Sequence, residues 1–396
     1  MTTQLFRATA LGGLVGATLL LAGARNVDAQ GMVASDRPAG FVVLPKLVSD
    51  PLDSFNRGQT IDTVIQLTNT DRTTFRVAHC FYINATGICL GGSNPIGGVD
   101  CRTNEDCTSG VCNTAVWQES NFTLTLTAQQ PTGWVVSQTR TLDGNSAGSG
   151  IISPVPTDYF QGELKCVEVN NATDVIPINR NDLKAEATTY YVGRDPNDPN
   201  TITSVDVRRY NGIGFPALGT ANATQSDRTL CLGGNGIANH ICQNADYAGC
   251  PERLIVNHLF EGAGEGIEAD PSVTLVPCTE FAVLEGDPTS VTVQMLIFNE
   301  FEQRFSLSTR VDCYRDIRLR DLSILYDVGT QGTVAGQTVL RGAPSGVGGG
   351  YGIIGIAEQD TLGGSTAYNV VYSGMLQDAA DQVTYVAETE DPNEID

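Results

Sequence analysis

The chain has 396 residues, with 45 acidic and 23 basic side chains and a formal net charge of −22. This length suits two domains of ordinary size, and a hydrophobic content of 41% is enough to bury their cores. The excess of acids argues against nucleic acid and against an anionic membrane surface as partners, because both require clustered Lys and Arg.

Residues 1–29 have the pattern of a secretory signal peptide. Arg7 is the only charged residue before the apolar run at 11–22, and Val27 and Ala29 occupy the small-residue positions before a cut. The apolar run is too short and too rich in Gly to span a membrane. We therefore expect cleavage after Ala29 and an exported, soluble mature chain, extracellular or periplasmic if bacterial, with no membrane span after signal cleavage.

Residues 30–218 contain short alternating segments bounded by turn residues, which predict antiparallel strands. The segments are 41–45, 62–69, 75–82, 122–127, 162–169, 185–192 and 202–210. The first is expected to end at Pro45, since proline cannot donate to a strand ladder. We interpret 30–218 as a first β-sandwich domain.

Two stretches differ in composition from these segments. Residues 87–115 hold four Cys, several Gly and almost no large apolar residue, which predicts a surface insert held by disulfides. Residues 219–262 form a second Cys- and Gly-rich insert followed by a connecting strand. Loops carried on a rigid sandwich are common binding sites, so both inserts are candidate recognition surfaces.

Residues 263–388 are predicted to form a second sandwich, followed by an acidic tail at 389–396. Its centre is Ser290–Asp316, two alternating runs around a polar corner, which predicts a pair of antiparallel strands. A similar corner follows Asn69, which leaves open whether the halves are a duplication. The predicted fold is all-β, with two immunoglobulin-like antiparallel β-sandwich domains and disulfide-stapled loop inserts. No apolar helical periodicity persists for three turns, so helices should be few.

All eleven cysteines lie after the signal peptide, where an oxidising compartment favours disulfides. They are Cys80, Cys89, Cys101, Cys107, Cys112, Cys166, Cys231, Cys242, Cys250, Cys278 and Cys313. The predicted scheme pairs 80 with 166 and 278 with 313, places two bonds within 89, 101, 107 and 112, and places one within 231, 242 and 250. One thiol is left over, either free or bonded to another chain.

Asp195, Asn197, Asp198 and Asn200 supply hard oxygen ligands in one loop, so calcium is a candidate cofactor there. Asx-turn chemistry explains the same residues without a metal, and the EF-hand spacing is not met. No other cofactor is predicted.

Other chemical motifs are weak. Gly144–Gly148 matches a nucleophile elbow but is followed by prolines rather than a helix, and Gly350–Gly355 matches a dinucleotide fingerprint but leads into a strand pattern. A zinc site would draw on Cys231, His240, Cys242, Cys250 and His258. Disulfides are favoured over thiolate ligands in an exported chain, so no catalytic residue is predicted.

The segment Cys101-x5-Cys107-Thr-Ser-Gly-Val-Cys112 resembles the small disulfide loops of secreted multidomain proteins. More widely, the chain is similar to secreted bacterial β-sandwich proteins with Cys-rich inserts, a resemblance that implies no activity. The expected function is that of a non-catalytic exported protein with a structural or recognition role, whose partner is a protein or glycan at the cell surface. The alternatives are a carbohydrate-binding or hydrolytic exoprotein and a self-assembling envelope or filament subunit.

Overall fold

The fold is all-β and built from antiparallel sheets, as seen in a computed structural model. The structure describes residues 33–55, 57–90, 100–101, 107–108, 111–114, 118–138, 141–142, 159–173, 175–195, 197–218, 229–232, 247–251, 253–264, 267–278, 281–283, 290–344, 352–361, 364–369, 371–372 and 384–386. Within these ranges no helix is long and apolar enough to cross a membrane.

The strands of the first half and of the segment that follows it are β1 (Phe41–Ser49), β2 (Gln59–Asn69), β3 (Arg76–Asn84), β4 (Gly87–Leu90), β5 (Asp100–Cys101), β6 (Val111–Thr114), β7 (Gln118–Leu126), β8 (Pro131–Val135), β9 (Phe160–Val169), β10 (Leu183–Asp195), β11 (Asp198–Asn211), β12 (Ile213–Phe215) and β13 (Thr229–Cys231). The elements that follow are β14 (Arg253–Leu259), β15 (Gly262–Gly264), β16 (Ile267–Cys278), β17 (Phe281–Val283), β18 (Ser290–Asn299), β19 (Arg304–Asp312), β20 (Arg315–Arg318), α1 (Leu319–Leu322), a 3-10 turn (Ile324–Tyr326), α2 (Val328–Gln331), β21 (Ala335–Pro344), β22 (Gly352–Thr361), β23 (Gly364–Asn369), β24 (Val371–Tyr372) and β25 (Thr384–Val386).

Four sheets contain most of the described strands. Sheet I has the order β12-β1-β9-β3-β7, and sheet II the order β11-β10-β2-β8. Sheet III has the order β19-β18-β21-β14-β24, and sheet IV the order β15-β16-β22-β23-β25, with β20 paired to β16. Strands β4, β5 and β6 form a small separate sheet within the first insert, and β13 pairs with β17.

Sheets I and II enclose the first core. Its centre is Trp134, which is fully buried and donates from Nε1 to the Tyr82 hydroxyl at 2.6 Å. Sheets III and IV enclose another core around Met295, Ile297 and Tyr326. In strands such as β2 and β18, inward apolar residues alternate with more exposed ones, the pattern expected for packed antiparallel sheets.

Sheet I is covered on both faces. Strands β1 and β3 are buried at every position, and their second face forms a core with side chains of the other half, including Val276, Tyr314 and Ile354. Leu230 and Tyr247, from the Cys- and Gly-rich segment, complete this core. The two halves therefore share buried apolar surface instead of meeting through a solvated linker.

Strand β1 does not end at Pro45, contrary to the sequence-based expectation. It continues to Ser49, with a register shift against β9 between Leu44 and Leu47. Two residues of β1, Pro45 and Lys46, there oppose the single residue Glu163, which is a β-bulge. A bulge tolerates proline because no ladder hydrogen bond is required of it.

The predicted pair within Ser290–Asp316 is confirmed as the β18–β19 hairpin, with Ser290 opposite Asp312. The corner after Asn69 differs. Strand β2 pairs with β8 and β10 in sheet II, whereas β3 pairs with β7 and β9 in sheet I, so this corner crosses between sheets. The two corners are thus alike in sequence but not in topology.

The disulfide Cys80–Cys166 confirms a predicted bond. The disulfides Cys89–Cys107 and Cys101–Cys112 confirm that two bonds form within the group of four cysteines in the first insert. The predicted Cys278–Cys313 bond is wrong, because Cys278 pairs with Cys250. Gly352 lies opposite Cys278 in the sheet, and a Cβ on Gly352 would come within 2.2 Å of the Cys250 Cβ. This glycine leaves the space that Cys250 occupies.

Cys313 is a buried free thiol. Burial is the largest cause that raises its pKa to about 11, and Asp312 adds to the shift. A buried, protonated thiol is a poor partner for another chain. The predicted bond within Cys231, Cys242 and Cys250 cannot include Cys250, which pairs with Cys278. A bond between Cys231 and Cys242 stays a prediction, because Cys242 lies outside the described residues.

Candidate functional site

Three features of the described residues combine charge with shape. We call them the sheet groove, on the outer face of sheet III, the acidic pocket, beside β15, and the buried ion cluster, between the two halves.

The sheet groove follows from strand register. Ser308, Gln294, Arg341 and Arg253 are cross-strand neighbours and form one row across β19, β18, β21 and β14. All four are exposed, because inward and outward side chains alternate along each strand. The row therefore presents hydroxyl, amide and guanidinium groups together on one face.

An apolar row lies beside this polar one. Ser306, Leu296 and Val339 are cross-strand neighbours one step further along the strands, and Leu296 is 36% exposed. With Phe298 and the row above they line a groove of about 690 Å³. A groove with an apolar floor and a few convergent polar groups is the usual character of a ligand site.

Arg253 and Arg341 face each other directly on neighbouring strands. Like charges in this arrangement destabilise a sheet. Neither guanidinium has an ion pair with another residue of the described ranges. In a chain of net charge −22, two adjacent uncompensated arginines are suited to an anionic group, which guanidinium binds with bidentate geometry.

The acidic pocket holds Glu261, Glu268, Asp270 and Asp360 around a depression of about 370 Å³. Burial, then the neighbouring charge of Glu261, raises the pKa of Asp270. Arg320 lies 3.4 Å from Glu261 and partly compensates the cluster. A carboxyl group with a raised pKa in a cleft is a feature of acid–base sites, although structural ion networks produce the same pattern.

The buried ion cluster begins at the β1 bulge. The bulge leaves the Lys46 backbone N–H and C=O without ladder partners. The Tyr210 hydroxyl accepts from this N–H at 3.1 Å and donates to this C=O. The bulge also turns the Lys46 side chain away from the first core and toward sheet IV. A single tyrosine thus fixes the backbone that aims the lysine.

The Lys46 ammonium meets two carboxylates of the second half. Its Nζ lies 3.0 and 2.9 Å from the two Asp316 carboxyl oxygens and 2.7 Å from Oε2 of Glu358. Thr274 donates to Asp316 Oδ1 at 2.9 Å. The side chains of Lys46 and Glu358 are 7% and 4% exposed, so this contact is nearly free of water.

Arg208 completes the buried ion cluster. Its guanidinium lies 3.0 Å from Glu358 and 2.8 Å from Asp360, and it stacks 4.3 Å above the Tyr191 ring. Burial alone would lower the pKa of Lys46, but Asp316 and Glu358 outweigh it and hold that pKa well above its ordinary value. Burial alone would raise the pKa of Glu358, but Lys46 and Arg208 hold it below its ordinary value.

The predicted calcium residues lie together at the β10–β11 tip. Asp195 Oδ1 accepts from the Asn197 backbone N–H at 2.8 Å, and Asp198 Oδ1 accepts from that of Asn200 at 3.2 Å. These are Asx turns, which account for the carboxylates locally. Calcium binding at this tip stays a prediction.

The remaining sequence motifs do not come together in one site among the described residues. Gly144–Gly148 lies outside the described residues, and Gly352 and Gly355 are part of strand β22, as the strand pattern predicted. Cys250 is in a disulfide and cannot be a zinc thiolate. His258 Nε2 contacts Thr338 Oγ1 at 2.8 Å, and burial lowers the pKa of His258 to about 4.

Sequence reasoning missed the buried ion cluster. Lys46 and Asp316 are 270 positions apart, and no local spacing connects them. The one available signal is a lysine inside the otherwise apolar run Phe41–Val48, since a charge in such a run needs a partner. Comparisons of the chain with protein-family models, with curated proteins and with solved structures find no match.

Proposed function

We propose that this chain is an exported, non-catalytic protein of two immunoglobulin-like β-sandwich domains, with a recognition role at or outside the cell surface. The observation that carries the recognition role is the sheet groove. Its paired arginines lie opposite each other on neighbouring strands of sheet III and have no ion pair among the described residues. Four disulfides among the described residues and the acidic composition support an oxidising, aqueous environment.

The partner is an extended anionic chain, an acidic glycan or an acidic segment of a surface protein. Arg253 and Arg341 bind its carboxylate or sulfate groups, and Gln294 and Ser308 bind neighbouring hydroxyl or amide groups. Leu296, in the adjacent row, contacts its apolar surface. Preformed strands bind with little ordering cost, which favours recognition by this face.

A glycan array with neutral, carboxylated and sulfated members tests this function, with and without calcium. We expect retention of acidic members only, and a loss of about tenfold or more in affinity for Arg253→Ser or Arg341→Ser, the effect of removing one charged hydrogen bond. Arg310→Ser is the matched control, because Arg310 lies on edge strand β19 and pairs with Asp312 at 2.6 Å. Equal binding by all three variants would refute recognition through the groove.

The hydrolytic alternative draws on the acidic pocket, where Asp270 has a raised pKa beside Glu261. Under that function the protein would cleave one of the array glycans, and Asp270→Asn would abolish cleavage without reducing binding by the sheet groove. The calcium arm of the array tests the tip at Asp195 to Asn200 separately.

The self-assembly alternative draws on β19, which ends sheet III in the described ranges, and on Phe301, 64% exposed at the hairpin tip. Exposed strand edges permit pairing between copies. Size-exclusion chromatography with and without reductant tests this function. Because Cys313 is buried, we expect no disulfide between copies through this thiol.

A further inference from the structure

The buried ion cluster has the composition of a reaction centre rather than of a simple ion pair. A primary amine, Lys46, lies against the carboxyl group of Asp316, and a second carboxylate, Glu358, lies 2.7 Å from the same amine. The two Asp316 oxygens are both about 3 Å from Nζ, so the carboxyl carbon between them is within the ~3–3.5 Å that reacting atoms require.

We propose that Lys46 and Asp316 condense to form an internal amide crosslink, an isopeptide bond that joins strand β1 of the first half to β20 of the second. No enzyme or cofactor is needed, because the folded chain places the amine, the carboxyl group and a proton-transfer group together. Holding two reactants in this way is equivalent to very high effective concentrations, on the order of 10⁵ M or more.

The step balances within the cluster. Glu358 Oε2, 2.7 Å from Nζ, accepts a proton from the Lys46 ammonium, and the free amine attacks Cγ of Asp316 to form the C–N bond. This proton transfer is uphill and sets the rate of the reaction, because, despite burial, Asp316 and Glu358 hold the pKa of Lys46 high while Lys46 and Arg208 hold that of Glu358 low. Thr274, which donates to Asp316 Oδ1 at 2.9 Å, stabilises the negative charge that develops on that oxygen. Oδ2 receives two protons, one returned by Glu358 and one more from the nitrogen, and leaves as water when the Cγ–Oδ2 bond breaks.

The surroundings favour the product. An ammonium and a carboxylate are replaced by a neutral amide and water, which removes the cost of keeping both charges buried. Glu358 is not left without a counter-ion, because Arg208 lies 3.0 Å from it. The Asp316 side chain is 16% exposed, which gives the released water a route to solvent.

The bulge in β1 has a defined role in this chemistry. Pro45 and Lys46 oppose one residue of β9, and both backbone polar groups of Lys46 are bonded to Tyr210. The amine is thereby aimed at the other half of the molecule. The crosslink would tie two segments 270 positions apart, so it would resist separation of the halves under force.

Peptide mapping of the full-length chain, produced in an exporting host, tests the proposal directly. Trypsin cleaves after an unmodified Lys46 but not after an acylated one. We expect, after reduction and denaturation, a peptide that continues through Lys46 to Arg57 and carries Asp316–Arg318 as a branch, lighter than the sum of its parts by one water. Separate peptides that end at Lys46 and begin at Asp316, with no branched product, would overturn the proposal.

Variants assign the roles. Lys46→Arg keeps the positive charge and abolishes the branched peptide, whereas Lys165→Arg, the matched loss of a buried lysine that pairs with Glu163 at 2.6 Å, retains it. Glu358→Gln slows the rate at which newly made protein becomes crosslinked by at least ~100-fold, which is within the range of proton-transfer catalysis. Thr274→Val keeps the side-chain shape and slows the reaction, a readout that remains if Glu358→Gln does not fold. Unchanged rates in both variants contradict the assigned roles.

Discussion

The corners after Asn69 and after Asn299 share a sequence pattern but build different structures. Each buries its asparagine, and each uses the Oδ1 atom to accept from a backbone N–H two residues on, at 2.9 Å from Asp71 and 3.1 Å from Phe301. The first corner carries the chain from sheet II to sheet I. The second folds back as a hairpin within sheet III.

The strands that follow the corners explain the difference. Strand β3 is buried at all nine positions, with Phe81 on one face and Tyr82 on the other. Such a strand needs cover on both sides, which sheet I provides. Strand β19 carries Ser306 and Ser308 on its outer face and is buried only at Val311, so it is stable at a sheet edge. The two corners share the Asx contact, and the burial of the next strand decides where that strand lies.

The largest effect on the free energy of unfolding should come from substitutions in the strands β3 and β19. Phe81→Ser, in β3, is expected to reduce the free energy of unfolding by ~3–5 kcal/mol, because it leaves a cavity in a core covered on both sides. Leu307→Ser, in β19, is the matched change on a half-buried strand, and we expect a loss of about 1 kcal/mol. Urea denaturation measures both, and equal losses would show that the two strands are not differently buried.

The corner asparagines should give the next largest effect. The Asn69 side-chain amide lies 2.9 to 3.2 Å from the carbonyls of Thr74, Leu126 and Thr127, and Asn69→Ala leaves these groups unpaired in the interior. We expect a loss of ~3 kcal/mol, against about 1–2 kcal/mol for Asn299→Ala at the open hairpin. Asn69→Asp, which keeps only the acceptor, should resemble Asn69→Ala in denaturation experiments; full stability of Asn69→Asp would assign the effect to the Asx turn alone.

A third effect, comparable in size to that of Asn69→Ala, depends on pH and comes from the buried His258. His258 is neutral in the fold because its pKa is about 4, whereas the unfolded chain takes up a proton below its ordinary value of 6.5. Stability is therefore lost as pH falls from 6.5 to 4, by up to ~3 kcal/mol, and not above that window.

His258→Gln should flatten this part of the melting-temperature profile. His79→Gln is the matched control for the loss of a buried ring, since both histidines contact a phenylalanine. A wild-type profile that is level between pH 6.5 and 4 would contradict the assignment to His258.

Some features could be predicted because their signal is local. Alternation along Val291–Ile297 predicted a one-sided strand, and the polar residues at 299–304 predicted its turn. The spacing of Cys101, Cys107 and Cys112 predicted a small disulfide-held insert, and the structure pairs these residues within it.

What the sequence determined by itself was the all-β class, the turns and the density of disulfides, because each depends on neighbours within a few residues. Only the tertiary structure decided that Cys250 rather than Cys313 bonds to Cys278, and that Lys46 meets Asp316 and Glu358. These contacts join strands far apart in the chain, and their geometry depends on register, on one β-bulge and on the space left by Gly352. Contacts between residues so far apart leave no periodic pattern in the sequence, so only the packing of the sheets determines them.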